Sequence, residues 1–555
     1  MIGAKVISFE STKVHFYCPK VTKDQSLNNS STLNRRLEIR DWEIGVNSVI
    51  KPLPLWAGII ALCLVAFVAI TLITQPIFEY VPHSEDEVAY LFQAKVLAEN
   101  RLTVPTPPQA QAFWSPFVID YDQQRFGKYP PGWPLLLSWG VRLGAPWLVN
   151  AFLATSTLAL IGLLGFLYYC VDNRGDSRYL IPLLAVGLGV VTPGFLFLSS
   201  SLLSHTASLF GVTLALVGLF QTVTVSKYRY LYGIGVGAAL GATFITRPFA
   251  ALGVGLAVGI FVVGLVLRRE LQPSLLLWIA GGGLLVSLLL PLFWWAAVGD
   301  PTFNAYRLVW PYDRVGFGPD IGPYGYTLYD AIFINTRLKL LALATGLFGW
   351  PGWTNLIFLP IPFLARRAHR WEWLLLGIIG GLIFVHVFYW AFGGVDGGFP
   401  RYYYDALPAF LLLTARGIEL CGQWLRRLAG PPPRQSIATG VLAGVMLSLV
   451  AYNLFWYLPP LLAAQRGKYG ISPAPLQAIE QAEISTPALI LVKDVDSWSD
   501  FAAPFAANRP MLDGPVVYAI DGGEESNRSL RVFFAGRSCY ELQGENVREC
   551  PPLAD

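Results

Sequence analysis

The chain has 555 residues, of which 54% are hydrophobic and only 14% are charged, and its mean hydropathy is +0.49. This balance excludes a soluble protein of this size and is typical of a protein that crosses a membrane several times. The formal net charge of +4 is too small to indicate nucleic-acid binding, so we expect the lipid bilayer as the main partner of the chain.

Residues 1–50 are polar, of mixed charge and without hydrophobic periodicity, which predicts a partly disordered cytoplasmic tail. We expect no cleavable signal peptide, because the first apolar run begins only near Pro54. Residues 51–457 then contain apolar segments of spanning length, which predict about eleven transmembrane helices. The segments are 54–78, 147–170, 180–199, 203–225, 230–246, 248–267, 274–298, 338–364, 372–392, 403–424 and 436–457.

The basic residues predict how these helices are oriented. With the N-terminus in the cytoplasm, every short inner loop carries lysine or arginine, as the positive-inside rule requires. These residues are Arg174, Arg178, Lys227, Arg229, Arg268, Arg269, Arg366, Arg367, Arg370, Arg426, Arg427 and Arg434. The long polar segments 79–146 and 299–337 are then outer loops, and an odd number of spans places residues 458–555 outside.

The first outer loop begins with an acidic triplet, Glu85, Asp86 and Glu87. Ser84 is a suitable N-cap for a helix that starts there, with Glu87 reaching back as in a capping box. We expect this helix to lie along the membrane surface with its acidic end turned toward a reaction site. A carboxylate at such a boundary can accept a proton from an attacking alcohol. Alternatively, the triplet only stabilises the helix N-terminus, although capping requires a single acid.

The same loop ends in a rigid turn. Lys128 and Tyr129 precede two prolines and Gly132, which fix the backbone just before the next apolar segment. Lysine is a common point-charge partner of phosphate, so Lys128 and Tyr129 are candidate substrate-binding residues. The alternative is an interfacial lysine that snorkels within an aromatic belt.

Two arginines lie on the outer side, against the inside bias of basic residues. Arg247 and Arg401, together with Lys128, could clamp a phosphate or diphosphate, the arginines in bidentate fashion. The alternative is that each arginine pairs with a nearby acid, such as Asp405, which follows Arg401 by one helical turn.

Further substrate-binding candidates lie in the same outer regions. The second outer loop carries Asp313 and Arg314 among glycines and aromatic residues, a composition suited to lining a carbohydrate site, although an ordered structural loop would have the same composition. Tyr402 and Tyr403 directly follow the outer arginine. His205 is a weaker candidate, because a lone histidine at a boundary is more often a hydrogen-bonded structural residue than a ligand.

The C-terminal segment, residues 458–555, has a different pattern. Short apolar runs at 488–492, 516–520 and 530–534 predict strands that are separated by glycine-containing turns. We therefore expect a small extracytoplasmic α/β domain. If this end lies outside the cytoplasm, Cys539 and Cys550 are suited to form a disulfide.

Several of these motifs together resemble a known family. An acidic pair in the first outer loop, a following surface helix and a Lys-Tyr-Pro-Pro turn before the second span resemble the GT-C glycosyltransferases, polytopic enzymes that use polyprenyl-phosphate sugars. They include the protein O-mannosyltransferases and the lipid A aminoarabinose transferases. The similarity covers roughly residues 54–425. The motifs that carry it are residues 86–95, 128–132, 312–319, 348–351 and 400–404.

The resemblance implies an all-α polytopic fold of GT-C type and a role for individual residues. Asp86 matches the acid that acts as catalytic base, with Glu87 beside it, and Lys128 matches the lysine that meets the lipid phosphate. Glu85 is not part of the usual pair, so which of the three acids is the base stays open. Asp86 and Glu87 could also hold a divalent cation such as Mg²⁺ or Mn²⁺, although the reaction does not require one.

The sequence thus predicts an inverting glycosyltransferase in a bacterial cytoplasmic membrane, with its active site and C-terminus on the extracytoplasmic side. It would move a sugar from a polyprenyl monophosphate to a hydroxyl of a glycan, lipid or protein acceptor. One alternative is an oligosaccharide ligase with a diphosphate-lipid donor. Another is a transporter that holds a lipid-linked glycan without chemistry.

Overall fold

The computed structural model describes residues 53–170, 179–396 and 398–552. The predicted cytoplasmic tail and the basic residues Arg174 and Arg178 lie outside these ranges. The first described part contains helices and a small sheet in which β3 is the central strand and pairs antiparallel with both neighbours. Its elements are α1 (Leu53–Ile73), α2 (Glu85–Ala98), β1 (Val104–Pro105), β2 (Val118–Tyr121), β3 (Gln124–Gly127), α3 (Gly132–Arg142) and α4 (Trp147–Cys170).

A long helical region follows, and its apolar faces form the largest hydrophobic core of the molecule. Its helices are α5 (Leu180–Val191), α6 (Pro193–Ser200), α7 (His205–Thr224), α8 (Arg229–Phe244), α9 (Pro248–Leu267), α10 (Ser274–Ser287), α11 (Leu289–Val298), α12 (Ala305–Val309), α13 (Arg337–Gly346), α14 (Ile361–Leu364), α15 (Arg370–Val387), α16 (Leu407–Ala429), α17 (Pro432–Tyr452) and α18 (Leu458–Ala463). A two-stranded hairpin, β4 (Val395–Asp396) and β5 (Phe399–Pro400), lies between α15 and α16.

The prediction of about eleven spans is not confirmed. By length and composition, the described residues contain seven helices that could cross a membrane, or eight if α5 and α6, which meet at a bend of 60°, form one broken span. The seven are Leu53–Phe78, Trp147–Tyr169, His205–Thr224, Pro248–Leu267, Ser274–Val298, Arg370–Val387 and Pro432–Gly470.

Three predicted spans differ for physical reasons. The segment predicted at 230–246 is a helix of 16 residues, or about 24 Å, which is shorter than a hydrocarbon core of roughly 30 Å. The segment 338–364 is broken into α13, a 3₁₀ turn and α14. The segment 403–424 begins with a 3₁₀ turn, and α16 carries buried Arg416 and Glu419 in its middle.

Residues 474–549 form a mixed sheet flanked by helices. The elements are α19 (Ala474–Gln481), β6 (Ala488–Val492), α20 (Trp498–Ala507), β7 (Val516–Ile520), α21 (Glu524–Phe533), β8 (Ser538–Gln543) and β9 (Asn546–Glu549). The strand order is β7-β6-β8-β9, with β6 parallel to β7 and β8 and with β9 antiparallel to β8. Cys539 and Cys550 form a disulfide.

Two of the three predicted C-terminal strands are present, as β6 and β7, but the third prediction is wrong. Residues 530–534 lie at the end of α21 and just beyond it, where Leu530 is buried while Val532 and Phe533 are exposed. A short apolar run cannot by itself distinguish a strand from one turn of helix. The third parallel strand is β8, whose alternating Tyr540 and Leu542 are buried.

The sheet region packs directly on α2. Val88, Phe92 and Val96 share one buried cluster with residues of α20 and β6, and the rings of Phe92 and Phe505 are 5.8 Å apart. At the C-terminus of α20, the Lys95 ammonium donates hydrogen bonds to the carbonyl oxygens of Ala506 and Asn508. The acidic helix is therefore covered, because the C-terminal region lies over its apolar face.

Candidate active site

The N-terminus of α2 is fixed by a side-chain network. Ser84 is the N-cap and its hydroxyl accepts a hydrogen bond from the Glu87 amide. The Glu87 carboxylate accepts hydrogen bonds from the backbone amides of His83, at 2.9 Å, and Leu202, at 2.7 Å, and from the Ser84 hydroxyl. The predicted capping role of Ser84 and Glu87 is therefore present, with His83 as the backbone donor, and it ties α2 to the segment after α6.

The structure does not bring Glu87 into the reactive cluster, where the sequence had placed it. Its side chain is 2% exposed and is occupied by three donors, so it neither faces substrate nor shares a cation with Asp86. Burial raises the pKa of Glu87 to about 7, although the three donors act in the opposite direction. We interpret Glu87 as a residue that positions the start of α2.

Asp86 lies at the centre of the cluster. One carboxylate oxygen accepts a hydrogen bond from the Tyr129 hydroxyl, and the other is 3.1 Å from Nη1 of Arg401. Both members of the ion pair are about one-fifth exposed, so the pair is open to solvent. Burial alone would raise the pKa of Asp86, but Arg401 and the Tyr129 hydroxyl outweigh it and lower the pKa. The alternative pairing of Arg401 with Asp405 is not found among the described residues, where Arg401 contacts Asp86 at the start of α2 instead.

Glu85 is adjacent but differs from Asp86 in its contacts. Within the described part of the chain, its carboxylate makes no hydrogen bond or ion pair. Burial, followed by the negative charge of Asp86, raises the pKa of Glu85, while Lys128 acts in the opposite direction. Glu85 is therefore the least engaged acid of the triplet.

Lys128 is enclosed by aromatic rings. Its ammonium nitrogen lies 3.3 Å from the ring centroid of Phe117 and 4.5 Å from that of Trp310, with Tyr129 and Tyr306 at 4.9 and 5.2 Å. Burial lowers the pKa of Lys128 to about 8, against the opposing influence of Asp86, Asp313 and Glu85. Trp310 and Tyr306 come from the second outer loop, so that loop lines the same site as the first.

The proline turn joins Lys128 to the segment that carries Arg247. The Gly132 amide donates a hydrogen bond to the Ile245 carbonyl oxygen at 2.9 Å. A Cβ atom at position 132 would lie 2.7 Å from the same oxygen, so only glycine allows this approach. The spacing of Lys128 and Arg247 is therefore set by backbone contact and not by flexible side chains.

Arg247 is held from two sides. Nη1 is 3.5 Å from the Ser204 hydroxyl, which in turn lies 3.0 Å from the Tyr90 hydroxyl. Nε is 3.9 Å from Asp405, whose carboxylate also accepts a hydrogen bond from Ser208. Both outer arginines therefore have acidic partners, which fixes them beside the Asp86 cluster.

The other candidates divide into two groups. Asp313 is buried and accepts hydrogen bonds from Tyr389 and Trp390. Burial raises the pKa of Asp313, while these two donors and the charge of Lys128 act in the opposite direction. Arg314, by contrast, is exposed and donates only to the Pro311 carbonyl, so the structure places it outside the cluster.

Tyr402 lies within the cluster, because its ring is 5.8 Å from the Arg247 guanidinium and stacks on His386 at 4.9 Å. Tyr403 and His205 are buried, at 1% and 2% exposure, and the ring of Tyr403 lies 6.0 Å from that of His386. Both ring nitrogens of His205 make no hydrogen bond among the described residues.

The sequence did not indicate one further cation beside this cluster. Lys339 is 1% exposed, and its ammonium lies 5.2 Å from the Tyr402 ring. It was hidden inside an apolar segment that was predicted to span the membrane. The only available signal was a lysine at the start of that segment, where a charge is costly.

The position of a metal was also predicted from the acidic pair. Across the described ranges, no group of three or more His, Cys, Asp or Glu side chains is arranged to hold a metal ion. Asp86 and Glu87 point to different partners, Arg401 and the backbone of residues 83 and 202 respectively. The divalent cation therefore stays a prediction without a second ligand in this structure.

Comparisons with known proteins identify the fold. No family model and no curated protein matches the sequence. Among solved structures, ArnT from Cupriavidus metallidurans bound to undecaprenyl phosphate is similar over 88% of this chain and 93% of its own, with a TM-score of 0.54 and 15% identity. Its apo form aligns with the same score and identity, over 92% of its length. The archaeal oligosaccharyltransferase AglB from Archaeoglobus fulgidus aligns over 89% of this chain and 70% of its own, with a TM-score of 0.41 and 12% identity.

At these identities the ArnT likeness concerns the fold, and the AglB alignment adds no further argument. The ArnT alignment spans most of both chains. The chain therefore shares the fold of ArnT from Cupriavidus metallidurans, in agreement with the fold expected from the polar motifs.

Proposed function

We propose that this protein is a glycosyltransferase that moves a sugar from a polyprenyl-phosphate-linked donor to an acceptor hydroxyl. The observation that carries the proposal is the meeting of Asp86, Lys128, Arg247 and Arg401, which come from four separate segments of the chain. An acid beside three cations is suited to take a proton at one end of a reacting bond and to stabilise a phosphate at the other. The undecaprenyl phosphate held by ArnT supports a lipid of this class.

The cations bind the leaving phosphate in this proposal. As the bond between the anomeric carbon and the phosphate oxygen breaks, negative charge grows on that oxygen, and Lys128 and the arginines stabilise it. Lys128 is held among rings that cannot neutralise it, so its charge remains available to the ligand. Together, the three cations are suited to hold the phosphoryl group whose bond to the sugar breaks.

Asp86 accepts the proton of the acceptor hydroxyl as its oxygen attacks from the face opposite the phosphate. In the ligand-free site the ion pair with Arg401 makes Asp86 a weak base. A donor phosphate that draws Arg401 away would remove this pairing, and the proton affinity of Asp86 would rise when substrate is present. Glu85 is the alternative base, since it has no partner among the described residues and its pKa is already raised.

The location of the reaction follows the same reasoning. Basic residues on the short loops favour an extracytoplasmic site in a bacterial cytoplasmic membrane, where no soluble nucleotide sugar is available. A lipid-bound donor explains why sugar transfer would need a protein with so much apolar surface. The acceptor is a glycan, lipid or protein that presents a hydroxyl to α2.

Transfer assays with purified full-length protein test this proposal. Wild type, Asp86→Asn and Glu85→Gln are each given labelled polyprenyl-phosphate sugars and diphosphate-linked glycans. We expect Asp86→Asn to lose 10²- to 10⁴-fold in rate, the usual range for a general base, and Glu85→Gln to lose less than tenfold. The reverse order would assign the base to Glu85. Full activity in both variants, or lipid binding without loss of sugar, would contradict transfer by these acids and favour a transporter.

A further inference from the structure

Lys339 is a buried cation that the proposed reaction does not use. It is at the start of α13 and is 1% exposed. Its ammonium is surrounded by rings, at 5.2 Å from the centroid of Tyr402, 5.6 Å from Phe392 and 5.8 Å from Tyr403. Such contacts contribute only about 2 kcal/mol even when desolvated, whereas an unpaired charge in an apolar environment costs several times more.

No acid in the described ranges compensates this charge. Lys339 makes no hydrogen bond or ion pair there, whereas Arg401 is paired with Asp86 and Arg247 with Asp405. The positive charge of Lys128 is also partly compensated, by the nearby carboxylates of Asp86, Asp313 and Glu85. Lys339 is therefore the cation of this region whose charge most requires an anion from outside the protein.

Lys339 adjoins the proposed phosphate site through one side chain. The ring of Tyr402 lies 5.8 Å from the Arg247 guanidinium and 5.2 Å from the Lys339 ammonium, and Tyr402 is the residue after Arg401. Its other neighbour, His386, uses Nδ1 for the Leu382 carbonyl oxygen and offers no carboxylate. The two cationic positions therefore share a wall, and a ligand with two linked anionic groups could reach both.

We propose that Lys339 is a second phosphoryl-binding position, so that the donor is a lipid diphosphate. This inference rests on the proposed function and names its substrate class. One phosphoryl group binds at Lys128, Arg247 and Arg401 and carries the sugar, and the other binds at Lys339. The bond from the anomeric carbon to the diphosphate oxygen breaks, a bond to the acceptor oxygen forms, the acceptor proton passes to the carboxylate, and polyprenyl diphosphate leaves.

Thermal unfolding of the full-length protein in detergent or nanodiscs, titrated with inorganic phosphate or inorganic pyrophosphate, tests the inference. Wild type should be half-saturated by pyrophosphate at a concentration about tenfold below that for phosphate, as expected for one additional charged hydrogen bond. Lys339→Met should lose this preference and keep its response to phosphate. If Lys339→Met weakens both anions equally, or neither, the inference is contradicted. If wild type responds to neither anion, the proposed function fails as well.

A measurement without ligand keeps the test independent of anion binding. If Lys339 is unpaired in the free protein, Lys339→Met should raise the unfolding temperature, because it removes an uncompensated buried charge. Lys95→Met is the control, since Lys95 is half-buried and donates hydrogen bonds to two carbonyl oxygens at the C-terminal end of α20, and this variant should unfold at a lower temperature. A lower unfolding temperature for Lys339→Met would show a structural partner and overturn the inference.

Discussion

Two buried ionic clusters lie at opposite ends of α15, and they are built differently. At its start, Glu372 is fully buried, lies 3.4 Å from Arg416, and accepts hydrogen bonds from the His369 amide and the Tyr169 hydroxyl. Arg416 also bonds Glu419 at 2.7 Å. The cluster around Asp86 and Tyr402 lies at the other end of α15, about 20 Å away if the helix rises by about 1.5 Å per residue.

The difference lies in how completely the polar groups are used. In the Glu372 cluster both carboxylates and the guanidinium are engaged with protein groups, which suits a structural joint between α15 and α16. The Asp86 cluster combines a partly exposed ion pair with a lysine in an aromatic cage and with buried polar atoms that have no hydrogen bond among the described residues. Polar groups left unused by the protein are the ones available to a ligand.

Among the variants that distinguish the two clusters, the largest effect is expected from one that breaks the Glu372 cluster. Arg416→Met leaves two buried carboxylates without their cation, which should lower the free energy of unfolding by about 3–5 kcal/mol. Transfer activity per folded molecule should stay unchanged. Denaturation and transfer assays on the same preparation measure the two quantities, and a loss of transfer without loss of stability would remove the distinction between the clusters.

The charge of Lys128 should control donor affinity in an accessible pH range. Because burial lowers the pKa of Lys128 to about 8, its positive charge is present below that pH and is lost as the pH rises through it. We expect kcat/KM for the lipid donor to fall by about tenfold per pH unit above pH 8.

Lys128→Arg is the matched control for this prediction. Arginine keeps its charge throughout this range, so the alkaline fall should vanish in the variant even if its activity at pH 7 is lower. An identical alkaline limb in both proteins would assign the titration to another group.

The smallest effect is expected for Arg314, which the sequence pattern could not distinguish from the site arginines. Arg314→Gln should change transfer by less than about twofold, because its side chain is exposed and contacts only a carbonyl of its own loop. Arg401→Gln, measured beside it, should lose activity strongly because it removes a cation that stabilises the leaving phosphate. Equal losses of transfer activity in the two variants would contradict the position of Arg314 outside the Asp86 cluster.

The sequence was most informative where a charged residue costs free energy because it lies beside an apolar segment. Carboxylates and arginines on the outer side of apolar segments identified Asp86, Arg247 and Arg401, which the fold brings together from distant positions. It could not separate Glu85, Asp86 and Glu87, because their roles depend on whether backbone amides or side chains face each carboxylate. Lys339 was missed since a hydropathy pattern averages one lysine into its apolar neighbours.

The errors in the fold have a similar origin. Hydropathy alone predicted a span at 338–364, where turns interrupt the helix, and a strand at 530–534, where four apolar residues and Arg531 lie at and just beyond the end of a helix. In both cases the apolar composition was identified correctly, but composition alone does not show where a helix is interrupted or whether a short run is helix or strand. The segment of α16 was predicted as a span from its apolar residues, and it also carries Arg416 and Glu419 buried inside the protein.

A structure of the protein in nanodiscs with a polyprenyl-phosphate lipid would test the central claim most directly. The account predicts a phosphoryl group within hydrogen-bond distance of Lys128, Arg247 and Arg401, with Arg401 displaced from Asp86 toward the ligand. A lipid phosphate bound away from these three residues, with the Asp86–Arg401 pair intact, would contradict it.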